Sequence, residues 1–197
     1  MTPPLPEAWL RGPVAGIPVA LQPVAHALVA SLEDVTAAVD GLTAGQLWLK
    51  PGGAASIGFH LMHLSGSTDR LFTYARGEAL SDTQRTALVA ERALAGLQPD
   101  SRPAATALLA NWGRVVEGAL QQLSQTPAAD LDAARAVGRD QLPSSVRGLL
   151  CHAGEHAQRH TGQVITTAKI LRGASAGESP ESSASSGQAW WRGSTAS

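Results

Sequence analysis

The helical spacing of the apolar residues constrains this chain more than any other feature. It recurs in four long stretches, and no segment alternates with the period of two that a strand needs. Between residues 19 and 39, Ala20, Leu21, Val24, Leu28, Leu32 and Val35 fall in helical register, with Pro23 near the start and Gly41 after the end. A turn at Pro51-Gly52-Gly53 precedes a second predicted helix over 54–76, with Ser56 close to its start and Gly77 just beyond it. A shorter helix is predicted over 82–97, closed by Gln98-Pro99-Asp100. Another runs over 103–123, with Ser101 available as a cap and Leu108, Leu109, Trp112, Val115, Val116 and Leu120 in register. Residues 126–142 are mixed, with Gly138 and Pro143 as breakers, and the last helix extends from 144 to about 171. The expected fold class is all-α, a four-helix bundle with one extra short helix.

The ends of the chain read differently. Residues 1–18 are rich in proline and form an expected extended N-terminal arm, and residues 19–172 make the helical domain. Residues 173–197 are low in complexity, rich in Ser, Gly, Ala and Glu, and are expected to be a disordered tail. Trp190 and Trp191 in that tail read as chance composition or a loose packing contact, with a partner-binding hook as the alternative.

Net charge excludes one class of partner. The chain carries a formal charge of -1 with only 16% charged and 4% aromatic residues. A nucleic-acid binder would show a basic excess or stripe, so no nucleic-acid partner is expected. No run approaches the eighteen or so apolar residues that span a bilayer, so no membrane partner is expected either. Cys151 is the single cysteine, which rules out an intramolecular disulfide framework and any multi-cysteine zinc site. The first residues lack a secretion signal, and the expected location is the cytoplasm.

The chemistry lies with the histidines. His156 and His160 stand four residues apart on the last helix, one turn apart on one face, so two imidazoles can reach a common ion. At 100° per residue, His160 falls near the centre of an arc with Leu149, Ala153, Val164, Thr167 and Leu171, and both rings are expected to point inward. Two ordinary histidines with separate hydrogen-bond partners are the alternative. His152 lies at the edge of that arc and reads as a neighbour of the site, not a ligand. A catalytic metal needs a third ligand, commonly a histidine, with an open position beside it. The second helix offers His60 and His63, and helical angles place His60 nearer the apolar stripe of Ile57, Leu61, Leu64, Leu71 and Ala75. His26 reads as a satisfied or partly exposed histidine. The pattern is not that of a zincin, because Ala157 stands where HExxH requires glutamate. Glu155 reads as a flank carboxylate and Cys151 as a small core or boundary residue.

Two motifs carry a resemblance. One is Trp48-Leu49-Lys50-Pro51-Gly52-Gly53 followed by Ser56-Ile57-Gly58-Phe59-His60-Leu61-Met62-His63-Leu64. The other is Gly138-Arg139, Leu142-Pro143, Gly148-Leu149-Leu150, then Glu155-His156-Ala157-Gln158-Arg159-His160-Thr161-Gly162-Gln163. Over roughly residues 19–172 the chain resembles the DinB-like (DinB/YfiT) superfamily, whose members are regarded as metalloenzymes. The resemblance implies an up-down-down-up four-helix bundle and a metal held by His63, His156 and His160. It thus favours His63 over the His60 that the angles select. Many members carry Arg where Thr161 stands, a change expected to remove an outer-surface charge and no ligand.

The resemblance also implies function. Members include transferases and isomerases that use low-molecular-weight bacterial thiols other than glutathione. The expected protein is therefore a metal-dependent enzyme with a three-histidine site, first a thiol S-transferase and second a hydrolase. Its cofactors would be a divalent ion (Zn, Ni or Fe, all suited to imidazole) and a low-molecular-weight thiol, its partner a small-molecule substrate, and a homodimer its possible assembly. The alternative is a non-catalytic metal-binding or stress-related interaction module.

Overall fold

The structure, a computed structural model, describes residues 6–93 and 102–176. The periodic segments form α1 (Gln22–Val39), α3 (Ile57–Ala75), α5 (Ala105–Gln125) and α6 (Val146–Ala176). Two shorter helices, α2 (Ala44–Trp48) and α4 (Asp82–Ala93), lie in the connections. The chain is mainly α. Two short helices appear where one was expected. The additional one, α2, begins with a reciprocal capping box in which Thr43 Oγ1 accepts from Gln46 N and Gln46 Oε1 accepts from Thr43 N.

The expectation of no strand is corrected. Ala134–Val137 (β1) and Leu142–Ser145 (β2) pair antiparallel in register Ala134 with Ser145 and Val137 with Leu142. Neither four-residue strand alternates between buried and exposed positions, so neither carries a readable period of two, and Pro143 is tolerated because a two-stranded sheet has only edge strands. Arg135 Nε on this hairpin donates to Ala75 O at 2.8 Å, satisfying a carbonyl at the end of α3 with a cation.

Helix ends follow local chemistry. Ser56 Oγ accepts from Phe59 N at 3.2 Å and starts α3. Ser145 Oγ accepts from Gly148 N at 3.0 Å at the start of α6. Helix α5 begins at Ala105 with Ala104 in the N-cap position and no side-chain cap, and Ser101 lies outside the described residues. Helix α6 continues through Gly173 to Ala176, past its expected end at about 171. The remainder of the expected tail, with Trp190 and Trp191, lies outside the described residues. So does the end of the helix predicted over 82–97. The arm expected to be extended holds a 3-10 turn at Ala8–Arg11 and is tied to α1. Gln22 Nε2 donates to the carbonyls of Val14 and Ile17 at 2.9 Å, and Arg11 pairs with Glu33 at 2.6 Å.

The core joins residues from the four long helices, including Leu28, Val35, Leu61, Leu64, Trp112, Val116, Leu150 and Val164. Helix α6 packs on α1 and α3, and α5 packs on α3 and α1. Hydrogen bonds fix the directions. Gln158 reaches Ala27, Thr161 reaches Ser31 and Arg172 reaches Ala38, so α6 runs parallel to α1. Gln122 near the end of α5 donates to Phe72 O near the end of α3, so these two are also parallel. His60 meets His160 and His63 meets His156, so α3 runs against α6. No helix among the described residues is long and apolar enough to cross a membrane.

The buried face of α6 keeps Leu149, Ala153, Val164, Thr167 and Leu171 of the expected arc, but its centre is not at His160. Leu150, Ala153, Ala157, Thr161, Val164 and Ala168 are its most buried residues, while His156 and His160 sit half-buried on the flank toward α3. An arc centred on His160 leaves out Ala157, Thr161 and Ala168, small buried residues that here let α1 come close. Thr161 is 1% exposed and bonds Ser31 Oγ at 2.7 Å, so the reading of its position as outer surface is corrected.

Candidate metal centre

Two packed helices bring three imidazoles together. His63 comes from α3, and His156 and His160 come from successive turns of α6. One nitrogen from each lies within 4.8 Å of the other two. His63 Nε2 and His156 Nε2 stand 3.3 Å apart, and the His156 and His160 ring centroids are 4.5 Å apart. The His63 side chain is 23% exposed, so the group opens to solvent on one side.

The Nδ1 side of each ring is engaged elsewhere. His63 Nδ1 is hydrogen-bonded to Glu91 Oε1 on α4. Glu91 is 7% exposed, and its other oxygen accepts from Arg70 at 3.3 Å. Ser67 Oγ donates to His63 O at 2.6 Å, so its lone pair is left to accept from His156 Nδ1 at 3.3 Å. His160 Nδ1 stands 3.0 Å from His60 Nδ1. Protons placed on the Nδ1 atoms of His63 and His156 leave their Nε2 lone pairs facing each other. Facing lone pairs at 3.3 Å repel unless a proton or a cation lies between them. Zinc–nitrogen bonds of about 2.0–2.1 Å in tetrahedral array separate nitrogens by about 3.3 Å, so the spacing fits a metal ion. The same arrangement on His160 requires its Nδ1–H to donate to His60. Orientation of ligand imidazoles by carboxylate or hydroxyl partners is the usual surrounding of a metal site.

Electrostatics favours neutral imidazoles at His156 and His160. His156 is lowered to about 4, first by burial and then by electrostatic repulsion from His63, His152, Arg159 and Arg70. His160 is also lowered to about 4 by burial and by the charges of His156, His63 and His60, against an opposing hydrogen bond with Gln163. Burial, then His63, lowers His60. For Glu91, burial pushes the carboxyl up, but the hydrogen bond and charge of His63 together with Arg70 outweigh it and the net direction is down. His156 and His160 therefore present unprotonated nitrogens at neutral pH, with the anionic Glu91 on the far side of His63.

The other singled-out residues fall outside the trio. His60, 5% exposed, is the partner of His160. His152 is about half exposed, with Glu155 at 3.8 Å, and that carboxylate faces solvent. His26 Nε2 pairs with Gly12 O at 2.9 Å. Cys151 is a half-buried free thiol packed against the core. Sequence reasoning missed Ser67, Arg70 and Glu91. Ser67 and Arg70 follow His63 by four and seven residues on one helical face, which is a readable signal. Glu91 gave none, since it sits among alanines and arginines like any surface carboxylate. Phe59 lies in an offset stack beside His63, with ring planes 8° apart and centroids 5.6 Å apart.

A mainly helical protein with three convergent imidazoles between two packed helices is a candidate metal-binding helical domain. The sequence model of the DinB superfamily matches residues 27–164, and the chain belongs to that superfamily. No curated protein matches the chain.

Proposed function

We propose that this protein is a metal-dependent enzyme in which His63, His156 and His160 hold a divalent ion, Zn, Ni or Fe. Its first chemistry is group transfer to a low-molecular-weight bacterial thiol, and its second is hydrolysis. The observation that carries the reading is the convergence of these three half-buried imidazoles while their opposite edges are engaged by Glu91, Ser67 and His60. Among the described residues no carboxylate or thiol joins the group, so a position remains for an external ligand. An ion held there would supply Lewis acidity that lowers the pKa of a thiol or water at the open position. The chain's own part is orientation. Glu91, Ser67 and His60 hold the rings, and Phe59 packs beside His63.

The fold reading supports the same conclusion. We propose that α1, α3, α5 and α6 form an up-down-down-up four-helix bundle. Their pairwise packing closes a ring, and the parallel pairs α1/α6 and α3/α5 with antiparallel α3/α6 give that sequence of directions. The stretch from 76 to 104 that carries α4 gives the chain room to return for a parallel α5.

The test is cobalt substitution followed by addition of bacterial thiols, beside a panel of thiol transfers to model electrophiles. A thiol-dependent change in the visible cobalt spectrum with turnover supports the reading. A spectrum unmoved by thiols, with hydrolysis of model esters or amides, selects the second chemistry. A metal-loaded protein inert in both would be a non-catalytic metal-binding module.

A further inference from the structure

Helix α4 is attached to the body in an unusual way. Among its described side chains, Glu91 alone is buried, while Val89 is 66% exposed. Gln84, Leu88 and Glu91 share the face turned to α3. Gln84 Nε2 donates to Asp69 Oδ2 and Thr73 Oγ1 at 2.7 Å, and Leu88 is half-buried. The deepest tie is Glu91, held between His63 Nδ1 and Arg70. Space for it comes from Gly66, where an added Cβ would lie 2.7 Å from the Arg70 guanidinium and 3.2 Å from Glu91 Oε2. A helix that buries a carboxylate instead of an apolar stripe depends on that carboxylate's partners for docking.

We propose that Glu91 is the positioning residue for His63 and that it couples the docking of α4 to occupation of the metal site. The proposal rests on the reading of His63 as a ligand. A proton held on Nδ1 by Glu91 keeps the Nε2 lone pair directed at the site. A cation at Nε2 in turn makes Nδ1–H a stronger donor to the buried carboxylate. Linkage makes the effect reciprocal: whatever Glu91 adds to metal affinity, metal adds to α4 docking.

Zinc affinity by chelator competition, with hydrogen exchange of the 82–93 amides, tests this on the full chain. Glu91→Ala should weaken zinc binding by about 10–100-fold, and Glu91→Gln, whose amide oxygen can still accept from His63, should recover most of that loss. Zinc should slow exchange across 82–93 in the wild type and leave it unchanged in Glu91→Ala at saturating zinc. The wild-type exchange arm needs no variant to fold. Zinc affinity of Glu91→Ala within twofold of wild type, Glu91→Gln as weak as Glu91→Ala, or α4 exchange indifferent to zinc would each overturn the proposal. A wild-type protein that takes up no divalent ion would defeat the metal reading itself, which is a distinguishable result.

Discussion

His60 and His63 stand one turn apart on α3, and both reach toward α6. Their surroundings separate them. His63 turns Nε2 to His156 and lies partly open, whereas His60 is 5% exposed and meets only the outer edge of His160. Loss of an orienting partner weakens metal binding by about 10–100-fold, and loss of a ligand should do more. His63→Ala is therefore expected to lose metal more severely than His60→Ala in a chelator titration, and the reverse order would make His60 the ligand. The helical angles that favoured His60 read its burial correctly, because His60 does lie nearer the core. They could not tell burial from direction, which the packing of α6 decides. The pair on α6 was legible from its spacing, but Glu91 was not, because a carboxylate in a short polar helix gives no sign of being buried.

Proton binding at this scale has a definite sign. In the folded chain His156 and His160 titrate near 4, while unfolded histidine titrates near about 6.5. Between those values the unfolded chain binds more protons, so stability of the metal-free protein is full above about pH 6.5 and declines as pH falls toward 4. Urea midpoints of metal-stripped protein should drop between pH 7.5 and 5, and His156→Gln with His160→Gln should flatten that slope. An equal slope in the double variant would assign the effect to other groups.

At the scale of elements, Trp48 shows how a connection positions the site. Its ring lies on Gly58 of α3, where an added Cβ would meet the indole at 2.6 Å, and its Nε1 donates to Pro103 O at 3.3 Å. The segment before α3 is thereby pinned across the start of the helix that carries His63. Gly58→Ala must displace a large aromatic ring, and overpacking of this kind costs about 1–3 kcal/mol. Chemical denaturation should show that loss, and unchanged stability would mean that Trp48 moves away freely. The long helices were legible because their apolar period runs over many turns. The hairpin 134–145 and α2 were not, since elements of four or five residues repeat their period too few times to stand out. Thr161 was misread for a related reason, because a small polar residue on an alanine-rich face gives no apolar signal although it is buried against Ser31.

At the scale of the whole molecule, parallel packing of α6 on α1 and antiparallel packing on α3 places the histidine face of α6 against His63. Helix ends are tied across the structure, with Arg172 donating to the carbonyls of Ala38 and Asp40 at 2.9 and 2.6 Å. The scaffold thus fixes both histidine-bearing helices through the protein's own contacts. Removal of a single imidazole should therefore empty the site without unfolding the protein. Elemental analysis of purified wild type, His63→Ala, His156→Ala and His160→Ala, each with a circular dichroism spectrum, measures this directly. The expected result is one divalent ion per wild-type chain, most of it lost in every variant, with helicity retained. Stoichiometric metal in all three folded variants would place the metal elsewhere and contradict the three-histidine centre.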